Sequence, residues 1–177
     1  LGIDCSTHSL AYAVFDRKQP VYCGEIVFEG ANLFERLSDA HKKTPALVKS
    51  GILKADYIAF EGAIMAGNNA QVGLSLAYVY GSVIGGLMDA GMEVVKVNPL
   101  TWQSYIGNPN LKPAEKVALR GANPGKSDSW LKNAGRELRK QRTLEFSRQF
   151  FDIESGSDNV GDAVGLDETY RDWQAGN

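Results

Sequence analysis

Asp4 lies inside the apolar run Leu1-Gly2-Ile3-Asp4, and Glu61 closes the apolar run Tyr57-Ile58-Ala59-Phe60-Glu61. Asp158 and Asp162 stand four apart at the start of a helical pattern near the C-terminus. Carboxylates are among the residues least often buried unless something compensates them, so one on each of two sheet-core strands asks for a cation. Brought together by the fold, the three segments would offer an all-oxygen site, the donor type that hard divalent metals prefer. A pair of such metals suits cleavage of a phosphodiester.

The cationic residues are as unevenly placed as the acids. Residues 112–148 hold ten basic residues, eight of which make a candidate polyanion-binding set: Lys112, Lys116, Arg120, Lys126, Lys132, Arg136, Arg139 and Lys140. The same span holds four acids, whereas residues 149–177 reverse the balance with one Arg against seven acids. A charged helix is often a solvated face. A cationic third beside a carboxylate cluster is also what a metallonuclease acting on a polyanion requires.

These groups need a scaffold, and the pattern of elements supplies one. Leu1–Ser6, Leu10–Asp16 and Val21–Phe28 read as three strands joined by short turns. Residues 32–50 have helical spacing, with Pro45 expected to bend the helix or end its first half. Ala55–Glu61 reads as a fourth strand, Asn68–Ala90 as a long helix rich in small residues, and Met92–Val97 as a fifth strand. The small residues Gly73, Ala77, Gly81, Gly85 and Gly86 would let the long helix lie close against a sheet or a partner helix. Residues 108–131 read as loop with one short helix near Pro113–Leu119. Trp130–Phe151 reads as a basic helix, and Asp158 to about Trp173 as the last. Three meandering strands followed by βαβα units imply an α/β fold: a mixed sheet, three antiparallel strands then two parallel, with helices on its faces.

Composition narrows the class. The 177 residues, 44% hydrophobic, suffice for one domain spanning 1–177. The longest apolar stretch, near Val79 to Met88, contains glycines and is expected to reach only about half a bilayer span, which argues against a transmembrane helix. The first residues show no signal-peptide pattern, and a start inside an apolar run without Met implies that residues precede Leu1. Cys5 and Cys23 both fall in strand-like segments and read as reduced core residues, as expected of a cytoplasmic protein. No Cys or His spacing suggests a zinc site.

In this order the segments resemble the RuvC family of Holliday junction resolvases, which have the ribonuclease H fold. The resemblance rests on Leu1-Gly2-Ile3-Asp4 with the strand Ala11-Tyr12-Ala13-Val14, and on Ile58 to Asn68. It continues through Val94 to Gly107 with Pro113-Ala114-Glu115-Lys116, and ends at Asp158-Asn159-Val160-Gly161-Asp162-Ala163-Val164-Gly165. It leaves out about 120–140, which reads as a basic insertion. The resemblance implies metal ligands at Asp4, Glu61 and Asp162, two Mg²⁺ ions (Mn²⁺ substituting), and catalytic assistance from Lys116. It implies branched DNA as substrate, chiefly four-way junctions, and a homodimer through helix 68–90. Where the family places an acid or His, this chain has Asn159, with Asp158 one residue earlier; Asp158 would either reach a metal or cap the helix. Ile64 stands where the family has a DNA-stacking aromatic, and Trp102 where it has a lysine.

Three other readings compete. An actin-like sugar kinase shares the Gly2-to-Ser9 loop, but 177 residues do not supply its second lobe. A non-catalytic DNA-binding relative would not need Asp4, Glu61 and Asp162 together. A nuclease preferring forks or flaps would carry the same acids. His8 reads as a turn residue, His41 as surface, and Trp102, Trp130 and Trp173 as core or cover, with contact to DNA as the alternative for Trp130 alone.

Overall fold

The computed structural model describes residues 1–61, 70–154 and 156–176. Its centre is a five-stranded sheet in the order β3-β2-β1-β4-β5. β1 (Gly2–Cys5), β2 (Ser9–Asp16) and β3 (Gln19–Val27) form an antiparallel meander, and β4 (Tyr57–Glu61) and β5 (Glu93–Val97) add on in parallel. β1 is thus the central strand, and three of its four residues are buried. The expected mixed sheet is the observed one.

Helices cover both faces. α1 (Leu33–Lys49) and α2 (Ala70–Met88) pack together on one side, where Leu1, Ile3, Cys5, Leu10, Ile58, Val83 and Leu87 belong to the larger core. On the other side α6 (Asp158–Gly176) lies across β1, β2 and β4, flanked by α3 (Pro99–Tyr105) and α5 (Asp128–Phe151). Trp102, Val97, Ala59, Leu166 and Tyr170 fill that second core. Cys5 and Cys23 are both free, Cys5 buried and Cys23 half-buried.

Some boundaries differ from expectation. α1 runs unbroken through Pro45, whose ring meets α2 near Gly86, so packing outweighs the missing backbone bond. The stretch expected to be loop is mostly helical: α4 spans Pro113–Ala122, and α5 already begins at Asp128. Glu115 closes the start of α4 by accepting from the Lys112 amide at 2.7 Å, and Ser127 caps α5 by accepting from the Trp130 amide at 3.2 Å. What stays irregular is 108–112 and the turn from Asn123 to Lys126, with Gly125 at a positive φ of 79°. α2 also departs from the expected half span. By length and composition alone its 19 residues could cross a bilayer, and it packs on α1 and the sheet through Val79, Val83 and Leu87.

Candidate active site

The four acids sit where the carboxyl ends of the parallel strands meet α6. The β1–β4 register pairs Gly2 with Ala59 and Ile3 with Phe60, so the next step sets Asp4 beside Glu61. α6 brings Asp162 over the same end because it presses unusually hard on β1. A Cβ on Gly2 would collide with the carbonyl oxygen of Ala163, and one on Gly165 would come within 3.0 Å of the Trp102 ring. A Cβ on Gly161 would lie 2.9 Å from the Thr143 methyl of α5. Asp167, buried farther along α6, fixes the same alignment by accepting from the Leu1 nitrogen and from Arg171 Nε, each at 2.8 Å.

The electrostatics record how close the acids are. Burial first, then the charges of Glu61 and Asp158, pushes the Asp4 carboxyl up from 3.8 to about 7. Burial, then Asp4, Glu61 and Asp158, pushes Asp162 up to about 8, against a hydrogen bond with Thr143. Glu61 is raised chiefly by burial, opposed by the Trp102 indole, which donates to its Oε2 at 3.0 Å, and by the Arg139 charge. No ion pair among the described residues engages Asp4 or Asp162.

Among the described residues, no three His, Cys, Asp or Glu side chains are already gathered as a metal cluster. The backbone assembles the site, while the side chains are held by other partners: Glu61 by Trp102, and Asp158 by Lys140 Nζ at 2.8 Å. In atom type and in uncompensated charge the donor set fits a hard divalent ion, with Asp4, Glu61 and Asp162 as the holding residues. Asp158 shares a hollow of about 230 Å³ with Asp162, whereas Asn159 is turned to Glu25, its Nδ2 donating to Oε1 at 2.8 Å.

That hollow also contains Arg136, Arg139 and Lys140. Sequence alone sets the basic residues of 120–140 apart from the acids; for these three the structure shows otherwise, because α5 runs beside α6. Arg139 Nη2 donates to Gln103 of α3, its Nε is buried without a partner, and so is Oδ1 of the buried Asn108. The Asn108 side-chain amide ties the loop after α3 to α5, donating to the Arg139 carbonyl at 2.8 Å and to Thr143 Oγ1 at 2.9 Å. Lys116, Arg120 and Lys132 lie instead in a separate cleft between α4 and α5, which Arg136 and Arg139 also line. Lys116 is therefore in that cleft rather than in the hollow with Asp158 and Asp162. Lys112 is exposed at the start of α4, and Lys126 sits 5.2 Å over the Trp130 ring.

Trp102 is 1% exposed, as a core residue should be, and its bond to Glu61 adds a role that sequence reasoning missed. Thr143, Arg139 and Lys140 were missed as companions of the acids, although Arg136, Arg139, Lys140 and Thr143 share one helical face by spacing. Glu25 gave no signal: it is exposed on β3 and ties that strand to Ser157 and Asn159. Trp173, expected to be core or cover, is 63% exposed, because α6 has passed the sheet by then. His8 and His41 are exposed, His8 bonded to Thr7 in its turn. Ile64 lies outside the described residues.

No protein-family model and no curated protein matches this chain. Among solved structures, it is similar to T. thermophilus RuvC in complex with a Holliday junction substrate. The identity is 12% and the TM-score 0.68, over 99% of this chain and 94% of that one. It is also similar to a second Thermus thermophilus RuvC structure, at 11% identity and a TM-score of 0.63, over 99% and 95% of the two chains. Likeness at this identity establishes the fold alone: the chain has the ribonuclease H-like fold of these RuvC structures.

Proposed function

We propose that this protein is a divalent-metal-dependent endodeoxyribonuclease that resolves four-way DNA junctions by paired nicks. One observation carries the reading: the carboxylates of Glu61 and Asp158 crowd the buried Asp4 and Asp162 at the strand ends, beside Arg139 and Lys140. A phosphodiester needs both halves of this arrangement. Bound Mg²⁺, or Mn²⁺ in its place, would supply a nucleophilic water and neutralise the leaving oxygen, with two ions per site. Asp4, Glu61 and Asp162 would hold the ions. Trp102 fixes the orientation of Glu61, and Thr143 that of Asp162. Lys140, bonded to Asp158, and Arg139, which lines the same hollow, are placed to meet the non-bridging oxygens of the scissile phosphate. Lys116 binds a neighbouring phosphate.

The basic stretch around 120–140 is the substrate grip of a single nuclease domain. Its charges act on DNA phosphates, giving affinity that falls with salt. The second site comes from a second copy. On α2, Leu74, Tyr78 and Met88 are exposed, and nothing within 4 Å would meet a Cβ on Gly81 or Gly85. An apolar helix face with such small residues suits close packing against its own copy, an isologous contact matching the two-fold symmetry of a junction. The resemblance to RuvC and the fold support junctions over forks.

The test is substitution. Asp4→Asn, Glu61→Gln and Asp162→Asn should each abolish nicking of a four-way junction in Mg²⁺ while leaving its mobility shift in place. A variant that cuts at the parental rate removes its residue from the site.

A further inference from the structure

The cleft between α4 and α5 is not explained by backbone gripping alone. It measures about 500 Å³, within the roughly 300–1,000 Å³ of small-molecule sites. Its walls include Leu111, Leu119 and Leu131, and cations stand around them. No ion pair among the described residues engages Lys116, Lys132 or Arg136. Phosphates along a duplex need charge on an open surface, not a leucine-lined recess. A ligand that is apolar and flat at one end and anionic at the other needs both.

The cleft also has a direction. Arg136 and Arg139 line it and the Asp158–Asp162 hollow alike, so the two are neighbours along α5. Lys132 to Lys140 spans about 12 Å of helix. That is three or four stacked nucleotides at about 3.4 Å each, and fewer when the strand is unstacked. A strand whose scissile phosphate lies at the acids therefore reaches the cleft within about three positions. At the crossover of a branched substrate, extrusion of a base costs least, because pairing and stacking are already interrupted.

We propose that the α4–α5 cleft receives one unpaired deoxynucleotide of the strand being cut, its base against Leu111, Leu119 and Leu131 and its phosphate on Lys132 and Arg136. This rests on the nuclease reading above and names what that nuclease recognises: an unstacked nucleotide near the cut, not only the arms of the junction.

The experiment uses four-way junctions carrying 2-aminopurine at successive positions within three nucleotides of the cut, with a dye on a distant arm. Ca²⁺ replaces Mg²⁺ to hold the complex uncut. Stacking quenches 2-aminopurine, and none of the described residues lining the cleft is aromatic, so a base seated there should brighten several-fold at one position. Leu131→Trp, which fills and darkens the cleft, should abolish the rise, as should the double variant Lys132→Gln with Arg136→Gln. The Gln pair changes exposed residues and keeps the fold testable if the Trp variant misfolds. Brightening that survives in both variants overturns the proposal, because the base then unstacks elsewhere. No brightening at any position while the arm dye reports binding overturns the cleft and leaves the nuclease standing. No binding of branched DNA at all overturns both. Free 2-aminopurine deoxyribonucleoside monophosphate is the last arm. Tight binding of it, with no response from the junction, would make the cleft a soluble-nucleotide site and defeat its assignment to DNA.

Discussion

Replacing Asp162 with Asn should make the metal-free protein more stable, and only at neutral to alkaline pH. In the fold the Asp162 carboxyl titrates at about 8 rather than 3.8. A carboxyl raised in the folded state favours the folded protein when protonated. Its contribution is therefore complete below about pH 4 and is lost as pH rises through about 8. At 1.36 kcal/mol per pH unit, that range corresponds to a ceiling of roughly 6 kcal/mol. Water still reaches Asp162, and the side chains can relax away from one another, so about 1–3 kcal/mol is the expected gain at pH 8. Asn keeps the shape and can keep the bond to Thr143 while removing the charge. Urea denaturation in EDTA from pH 4 to 9 reads it directly: parent and variant should coincide near pH 4 and separate steadily, the variant reaching the higher midpoint. Mg²⁺ should then stabilise the parent at pH 8 and leave the variant nearly unmoved. Parallel curves, or a variant weaker at pH 8, would show that the acids are not crowded without compensation.

Trp102→Phe should free Glu61, lowering the nicking rate roughly ten- to hundredfold, with a cost of about 1–2 kcal/mol in the urea assay for the lost buried ring. Gly2→Ala should destabilise by about 3 kcal/mol or more in the same denaturation assay, because its Cβ meets the α6 backbone rather than a side chain that can turn aside. Arg139→Gln should slow nicking at saturating enzyme. Lys126→Gln with Lys132→Gln should instead weaken binding and flatten the slope of log affinity against log salt by about one for each phosphate no longer neutralised. Equal effects of the two on single-turnover rate would erase the distinction between hollow and grip.

The strands and the candidate acids were legible because β-strands announce themselves by apolar runs, and a carboxylate ending such a run is conspicuous. Asp4 and Glu61 needed only the parallel register to become neighbours. The helical part of 108–131 was obscured by Gly121, Asn123, Pro124 and Gly125. Glycine and proline speak for a turn locally, while Pro113 and Glu115 starting α4, and Ser127 starting α5, set the actual ends. Arg139 and Lys140 could not be placed beside the acids from sequence, because that proximity depends on how closely α5 and α6 pack through Gly161 against Thr143. Trp102 reads as core by type, and its bond to Glu61 depends on a ring rotation that no pattern encodes.

The most direct test is the product analysis of a four-way junction labelled on opposing strands, incubated with the parent protein in Mg²⁺ beside fork and duplex DNA of the same sequence. Two symmetric nicks within one complex, released as linear duplexes and absent in EDTA, are the predicted result, with the fork and duplex cut far more slowly. Binding without nicks in Mg²⁺ or Mn²⁺, or equal cutting of plain duplex, would contradict it.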